Sequence, residues 1–182
     1  MRSLLVVLLV LAATHAEARR EKPTLSPTEH LAAFSGDYDG DGQADTGLFW
    51  FSETTQSTWI TVSHSSGWGG NGPITFVTTV PLGQRGDVPV PGDYDGDGRA
   101  DLAVYRPTTG VWYIRPSGGA ASVAIPFGAA HLGDVPVPAD YDGDGVTDLA
   151  VRRMGTAETF VWLSGHQRLL RCVFPFPCSP RR

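Results

Sequence analysis

Twelve aspartates stand in three copies of one pattern, and their spacing could gather metal ions. The copies are Asp37-Tyr38-Asp39-Gly40-Asp41-Gly42-Gln43-Ala44-Asp45, Asp93-Tyr94-Asp95-Gly96-Asp97-Gly98-Arg99-Ala100-Asp101 and Asp140-Tyr141-Asp142-Gly143-Asp144-Gly145-Val146-Thr147-Asp148. Each places Asp at positions 1, 3, 5 and 9. Carboxylates crowded this closely repel one another unless a cation lies among them. Ca²⁺ suits the set, because it takes carboxylates, a backbone carbonyl and water together as oxygen ligands. Glycine at positions 4 and 6 lets the chain turn sharply enough for the side chains to converge. Position 7 (Gln43, Arg99, Val146) varies in type, as it would if only its carbonyl were used. A single copy also reads as a polar Asp-Gly turn. Recurrence at the same acidic positions favours the metal, and three Ca²⁺ sites are expected.

The loop opens like an EF-hand and then departs from it. Position 12, where an EF-hand has a bidentate Glu, is Leu48, Val104 and Val151. The run after position 9 is short and apolar, as in Leu102-Ala103-Val104-Tyr105 and Leu149-Ala150-Val151. β-branched and aromatic residues in so short a run predict a strand rather than an amphipathic helix. The loop must therefore join two strands.

The elements around the loops repeat with them. First loop positions are 56 and then 47 residues apart, a period of stacked or radial repeat architectures. The second and third units share a longer signature, Gly86-Asp87-Val88-Pro89-Val90-Pro91 and Gly133-Asp134-Val135-Pro136-Val137-Pro138. The first unit has Ala32-Ala33-Phe34-Ser35 there and reads as a divergent start. Four strands are predicted in the middle unit: 88–94, with Pro89 and Pro91 limiting its ladder, then 102–106, 111–115 and 122–127. After its loop, unit one gives 46–51, 59–63 and 74–80, and unit three gives 149–153, 159–163 and 168–174. Gly and Pro interrupt every segment, which argues against helices. The expected division is a leader over 1–18, a polar tether over 19–33, repeats over 34–85, 86–132 and 133–176, and a tail over 177–182.

Charge and composition narrow the functions. The net charge is −5, and the three loops hold twelve of the nineteen acidic residues. No basic stripe offers itself to nucleic acid. Arg2, the apolar run Leu4 to Ala13 and the small-x-small sites Ala16-Glu17-Ala18 or Thr14-His15-Ala16 read as a signal peptide, with an uncleaved anchor as the alternative. The mature chain is then secreted, extracellular or periplasmic, where Ca²⁺ is plentiful and thiols oxidise. Cys172 and Cys178 read as a small-loop disulfide there, since a redox pair would call for Cys-x-x-Cys.

Each predicted third strand carries a tryptophan: Trp59, Trp112 and Trp162. Packing between neighbouring sheets is expected of them, with stacking on a sugar ring as the alternative. Trp68 lies in the Gly-rich insertion of unit one and is a candidate ligand contact.

These residues resemble the FG-GAP/VCBS-type repeat of integrin-α-like β-propellers. The likeness rests on the Val-Pro-Val-Pro run, the Asp loop, the apolar strand and the aromatic third strand, over about residues 34–174. It implies an all-β fold of four-stranded antiparallel blades, with Ca²⁺ in the loop between the first two strands of each. The implied ligands are the twelve loop aspartates. It also implies adhesion, carbohydrate binding or contact with an extracellular protein. Propellers usually have four or more blades, and this chain has three. Three blades can form an open arc, a ring completed by self-association, or a fragment of a longer array.

A secreted calcium-binding module, structural or ligand-binding, is the reading these features favour. The alternative is an accessory part or fragment of a polysaccharide-acting hydrolase or lyase. Catalysis has little to draw on. His30, His64, His131 and His166 lack His or Cys partners at metal spacing, and no Gly-x-Ser-x-Gly elbow occurs. No enzyme activity is expected.

Overall fold

The computed structural model describes residues 32–52, 57–65, 74–173 and 179–180. Three antiparallel sheets follow one another along the chain. The first contains β1 (Ala32–Gly36), β2 (Asp45–Ser52), β3 (Ser57–Ser65) and β4 (Ile74–Pro81), in that order. The second contains β5 (Val88–Pro89), β6 (Leu102–Arg106), β7 (Val111–Arg115) and β8 (Val123–Pro126). In the third, β9 (Asp134–Pro136), β10 (Leu149–Arg153), β11 (Glu158–Leu163) and β12 (Arg168–Val173) are joined by β13 (Ser179–Pro180) on β12. A single 3-10 turn, Ala130–Leu132, precedes β9 among the described residues. The fold is all-β and blade-like, and its sheets do not close into a ring. Among the described residues no helix is long and apolar enough to cross a membrane.

The first strand of the middle unit is shorter than predicted, and proline is the reason. The pairing runs Val88 to Tyr105 and Pro89 to Val104, and then loses regularity. Val90 N–H still donates to the Ala103 carbonyl at 2.9 Å, and Gly92 bridges to Asp101. Backbone groups alternate sides along a strand, so the valines face β6 while Pro89 and Pro91 face away. The third unit repeats this, with Val137 N–H donating to Ala150 at 2.8 Å between Pro136 and Pro138. β1 has no proline and pairs with β2 over five consecutive positions. β13 was not foreseen, because a two-residue strand containing Pro180 carries no periodic signal.

The middle sheet is covered on both faces. Leu102 and Val104 pack with Phe49, Ile60, Val62 and Val80 of the first sheet and with Tyr38 of its Asp loop. Ala103, Tyr105, Trp112 and Ile114 point the other way, onto Leu149, Val151 and Phe160 of the third. β6 therefore reads as an unbroken apolar run, as a strand with two buried faces should.

The tryptophans divide. Trp112 is fully buried between the second and third sheets, 5.2 Å centroid to centroid from Tyr105, and its indole N–H donates to the Phe127 carbonyl at 2.7 Å. Trp162 is 36% exposed and stands at the rim of the face that Leu149, Val151 and Phe160 turn to the second sheet. Register explains the difference. Trp112 pairs with Tyr105, whereas Trp162 pairs with Leu149, the first residue of its strand. By that register the counterpart of Trp112 in the third sheet is Thr159, three residues from Trp162. An odd offset puts the two side chains on opposite faces of equivalent strands. Trp59 pairs with Trp50 in the first sheet, and Trp68 lies outside the described residues.

Candidate metal centre

Each Asp loop enters the second strand of its sheet, so the strand fixes the loop's C-terminal end. The local bonding is nearly identical in the three copies. The carboxylate at position 1 accepts from the N–H at position 4 at 2.7 Å in every loop (Asp37–Gly40, Asp93–Gly96, Asp140–Gly143). Its second oxygen accepts from the N–H at position 6 at 2.8–2.9 Å. Both glycines have φ between +77° and +87° in every loop, a conformation open to glycine at little cost. Asp39, Asp95 and Asp142 accept from the N–H of position 5 at 3.1–3.3 Å, and Asp41, Asp97 and Asp144 from that of position 7 at 2.8–2.9 Å. These bonds wind each loop tightly about its own carboxylates.

Position 9 has a second duty. Asp45, Asp101 and Asp148 are almost wholly buried, at 0–1% exposure. One oxygen of each accepts from the N–H of the loop tyrosine, Tyr38, Tyr94 or Tyr141, at 2.9–3.0 Å. In the later units the other oxygen accepts from the turn after the third strand: from Ser117 N–H at 2.7 Å, and from Ser164 N–H and hydroxyl at 2.8 and 2.9 Å. The position 9 side chain thus ties the loop to the far hairpin of its own blade.

Electrostatics differ among the carboxylates. Backbone N–H groups, that of Gly145 foremost, hold Asp140 below the usual carboxylate range. Asp97 is also lowered, chiefly by the Arg99 side chain, which donates to it at 2.7 and 3.1 Å. Burial pushes Asp101 up, against the two N–H groups that favour its charge.

Three of the four expected side chains in each loop converge as one group. Oxygens of Asp37, Asp39 and Asp41 lie within 4.8 Å of one another, as do those of Asp93, Asp95 and Asp101, and of Asp140, Asp142 and Asp148. Oxygens bound to one Ca²⁺ at about 2.3–2.6 Å can be at most about 5 Å apart, so these sets fit that ion. The fourth is placed differently in each loop. Asp45 lies outside its group, Asp97 turns to Arg99, and Asp144 groups with Asp142 and His166. His166 Nδ1 is 3.0 Å from Asp142. Sequence spacing gave no sign of this contact, because His166 reaches the loop from the β11–β12 turn, 24 residues later. Cys172 is in a disulfide, and Cys178 lies outside the described residues.

The backbone from the second loop to the third is one full turn of the repeat: loop, three strands, crossing strand, loop. Residues 93–151 match the family model of the FG-GAP-like repeat. No curated protein and no solved structure matches the chain. The FG-GAP-like match begins at the first aspartate of one loop and ends within the strand after the next. The first loop lies outside the matched span, yet repeats the backbone bonds at positions 1, 3 and 5 and the tyrosine N–H bond at position 9.

Proposed function

We propose that the protein is a secreted, calcium-stabilised repeat module that presents its blades to a carbohydrate or protein ligand, as in adhesion. The observation that carries this reading is the threefold recurrence of a three-carboxylate cluster, always including positions 1 and 3, on one backbone geometry. The role of the ion is structural. Bound Ca²⁺ would neutralise each cage and hold its loop closed. Asp37, Asp39, Asp41 and Asp45 would hold the first ion; Asp93, Asp95, Asp97 and Asp101 the second; Asp140, Asp142, Asp144 and Asp148 the third. The carbonyls of Gln43, Arg99 and Val146 add a backbone ligand. Position 9 couples ion binding to the far hairpin through Ser117 and Ser164.

An all-oxygen, multiply charged site suits Ca²⁺ better than a thiolate- or imidazole-seeking metal. Extracellular modules bind Ca²⁺ at about 10⁻⁴–10⁻³ M, an affinity matched to an exported chain. Equilibrium dialysis of the purified protein in millimolar calcium should retain three ions per chain. The Asp95→Ala/Asp97→Ala variant should retain fewer. Retention of none, with no change in melting on adding EDTA, overturns the proposal.

A further inference from the structure

The three loops touch in series. The Asp37 carbonyl accepts from the N–H of Ala100 at 2.6 Å, and the Asp93 carbonyl accepts from the N–H of Thr147 at 2.6 Å. Each bond runs from position 1 of one loop to position 8 of the next. It therefore joins the residue that opens one cage to the residue between the last two ligands, positions 7 and 9, of its neighbour.

Side chains follow the same path. A Cβ built on Gly36 would meet the Ala100 Cβ at 2.8 Å, and one built on Gly92 would meet Thr147 at 2.7–3.0 Å. Both glycines stand immediately before their loops, and both are seats for position 8 of the following loop. Position 7 does likewise. A Cβ on Gly40 would meet the Arg99 side chain at 3.0–3.1 Å, and one on Gly96 would meet Val146 at 3.1 Å. The corresponding seat before the third loop is Ala139. Among the described residues no crossing bond is made to the Asp140 carbonyl. Glycine is present at both positions where, among the described residues, a next loop sits down.

Each crossing bond leads on into the next cage. Position 8 is followed by the buried Asp101 or Asp148, which grips the tyrosine N–H at position 2 of its own loop. A continuous path of short bonds therefore runs Asp37, Ala100, Asp101, Tyr94, Asp93, Thr147, Asp148. We propose, building on the calcium reading above, that the three loops take up Ca²⁺ cooperatively through this path. An ion that orders one loop fixes positions 1 and 8 together, so the neighbouring loop is left with less backbone to immobilise. The contacts are packed and hydrogen-bonded, which makes them either formed or broken.

Calcium titration of the whole protein by isothermal calorimetry tests this. The parent should bind three ions with a Hill coefficient of about 2, below the ceiling set by the number of sites. Gly92→Ala lies outside every cage and drives Thr147 off its seat. It should still bind three ions, with the coefficient lowered but still above about 1, because the Asp37–Ala100 bond goes on coupling the first two loops. Adding Thr147→Gly makes room for the new methyl group and should restore the slope. Should Gly92→Ala not fold, hydrogen exchange at the Ala100 and Thr147 amides of the parent gives the same answer. Both should gain protection along one calcium curve. Three ions on independent isotherms, or two separated exchange curves, overturn the coupling alone. No bound calcium overturns the reading beneath it.

Discussion

Arg153 grips Asp134 with both ends of its guanidinium, Nε donating at 2.8 Å to one carboxylate oxygen and Nη2 at 2.9 Å to the other. The same guanidinium lies 4.5 Å from the ring centroid of Phe160. The second blade repeats the arrangement with Arg106, Asp87 and the Tyr113 ring. In both, the aspartate begins the unit, the arginine ends the second strand, and 19 residues separate them. The first unit has Leu31 and Trp50 at these two positions, so both partners change together.

Breaking this pair should be costly, because the Asp134 side chain has no solvent exposure. Removing one partner of a buried ion pair costs roughly 3–5 kcal/mol, and the partial exposure of Arg153 puts Arg153→Met at the lower end. Asp134→Asn with Arg153→Met should cost less than the two single changes added together. Urea unfolding of the four proteins measures the coupling.

Acid should release the same clamp. Burial alone would raise Asp134, but the Arg153 side chain and the Ala129 N–H, 2.8 Å away, hold it below the usual carboxylate range. Its folded pKa lies below its unfolded value of about 3.9, so its contribution is complete above that pH and fades as pH falls through the folded value. The stability difference between parent and Asp134→Asn, followed by urea unfolding, should be constant near neutrality and shrink only below about pH 4.

The tryptophans should separate by face. Trp112→Ala empties the space between two sheets and should cost about 3–5 kcal/mol. Trp162→Ala removes a ring that stands partly in water and should cost about 1 kcal/mol or less. Thermal melts of the two variants give the order, and equal losses would show that Trp162 packs as tightly as Trp112.

Calcium should raise the melting temperature. One site at tenfold excess over its dissociation constant adds about 1.4 kcal/mol, and three sites add more. EDTA should reverse the shift. Asp101→Asn should lower the melting temperature even without calcium, since its carboxylate also holds Tyr94 and Ser117. Differential scanning fluorimetry with and without the ion distinguishes the two contributions.

The strands after each loop were legible because they are short apolar runs that follow an Asp-Gly loop and, in the later units, end at a glycine-containing turn. Residues 102–106, 111–115 and 149–153 were placed to the residue. The period gave only a stacked or radial repeat, and the blade class came from the resemblance to the FG-GAP-type repeat. Three things were hidden. Trp162 looked equivalent to Trp112, because counting along the chain ignores the two-residue alternation that turns them to opposite faces and leaves Trp162 half in water. Asp97 and Asp144 looked equivalent, but their company is Arg99 in one loop and His166 in the other, and only the fold brings His166 near. The seats at Gly36 and Gly92 were invisible, since the side chains they accommodate lie in the next repeat, 64 and 55 residues away.

The Val-Pro-Val-Pro strands carry a consequence for recognition. Their valine amides face the second strand and complete the sheet, while the proline nitrogens on the opposite border have no proton to give. A polypeptide trying to extend either later blade from that border would find its carbonyls unanswered, so strand addition is barred there. β1, which has no proline, is the first-strand border that stays open to such augmentation. Under the proposed function, a glycan or a folded surface would meet the later blades through loops and side chains instead.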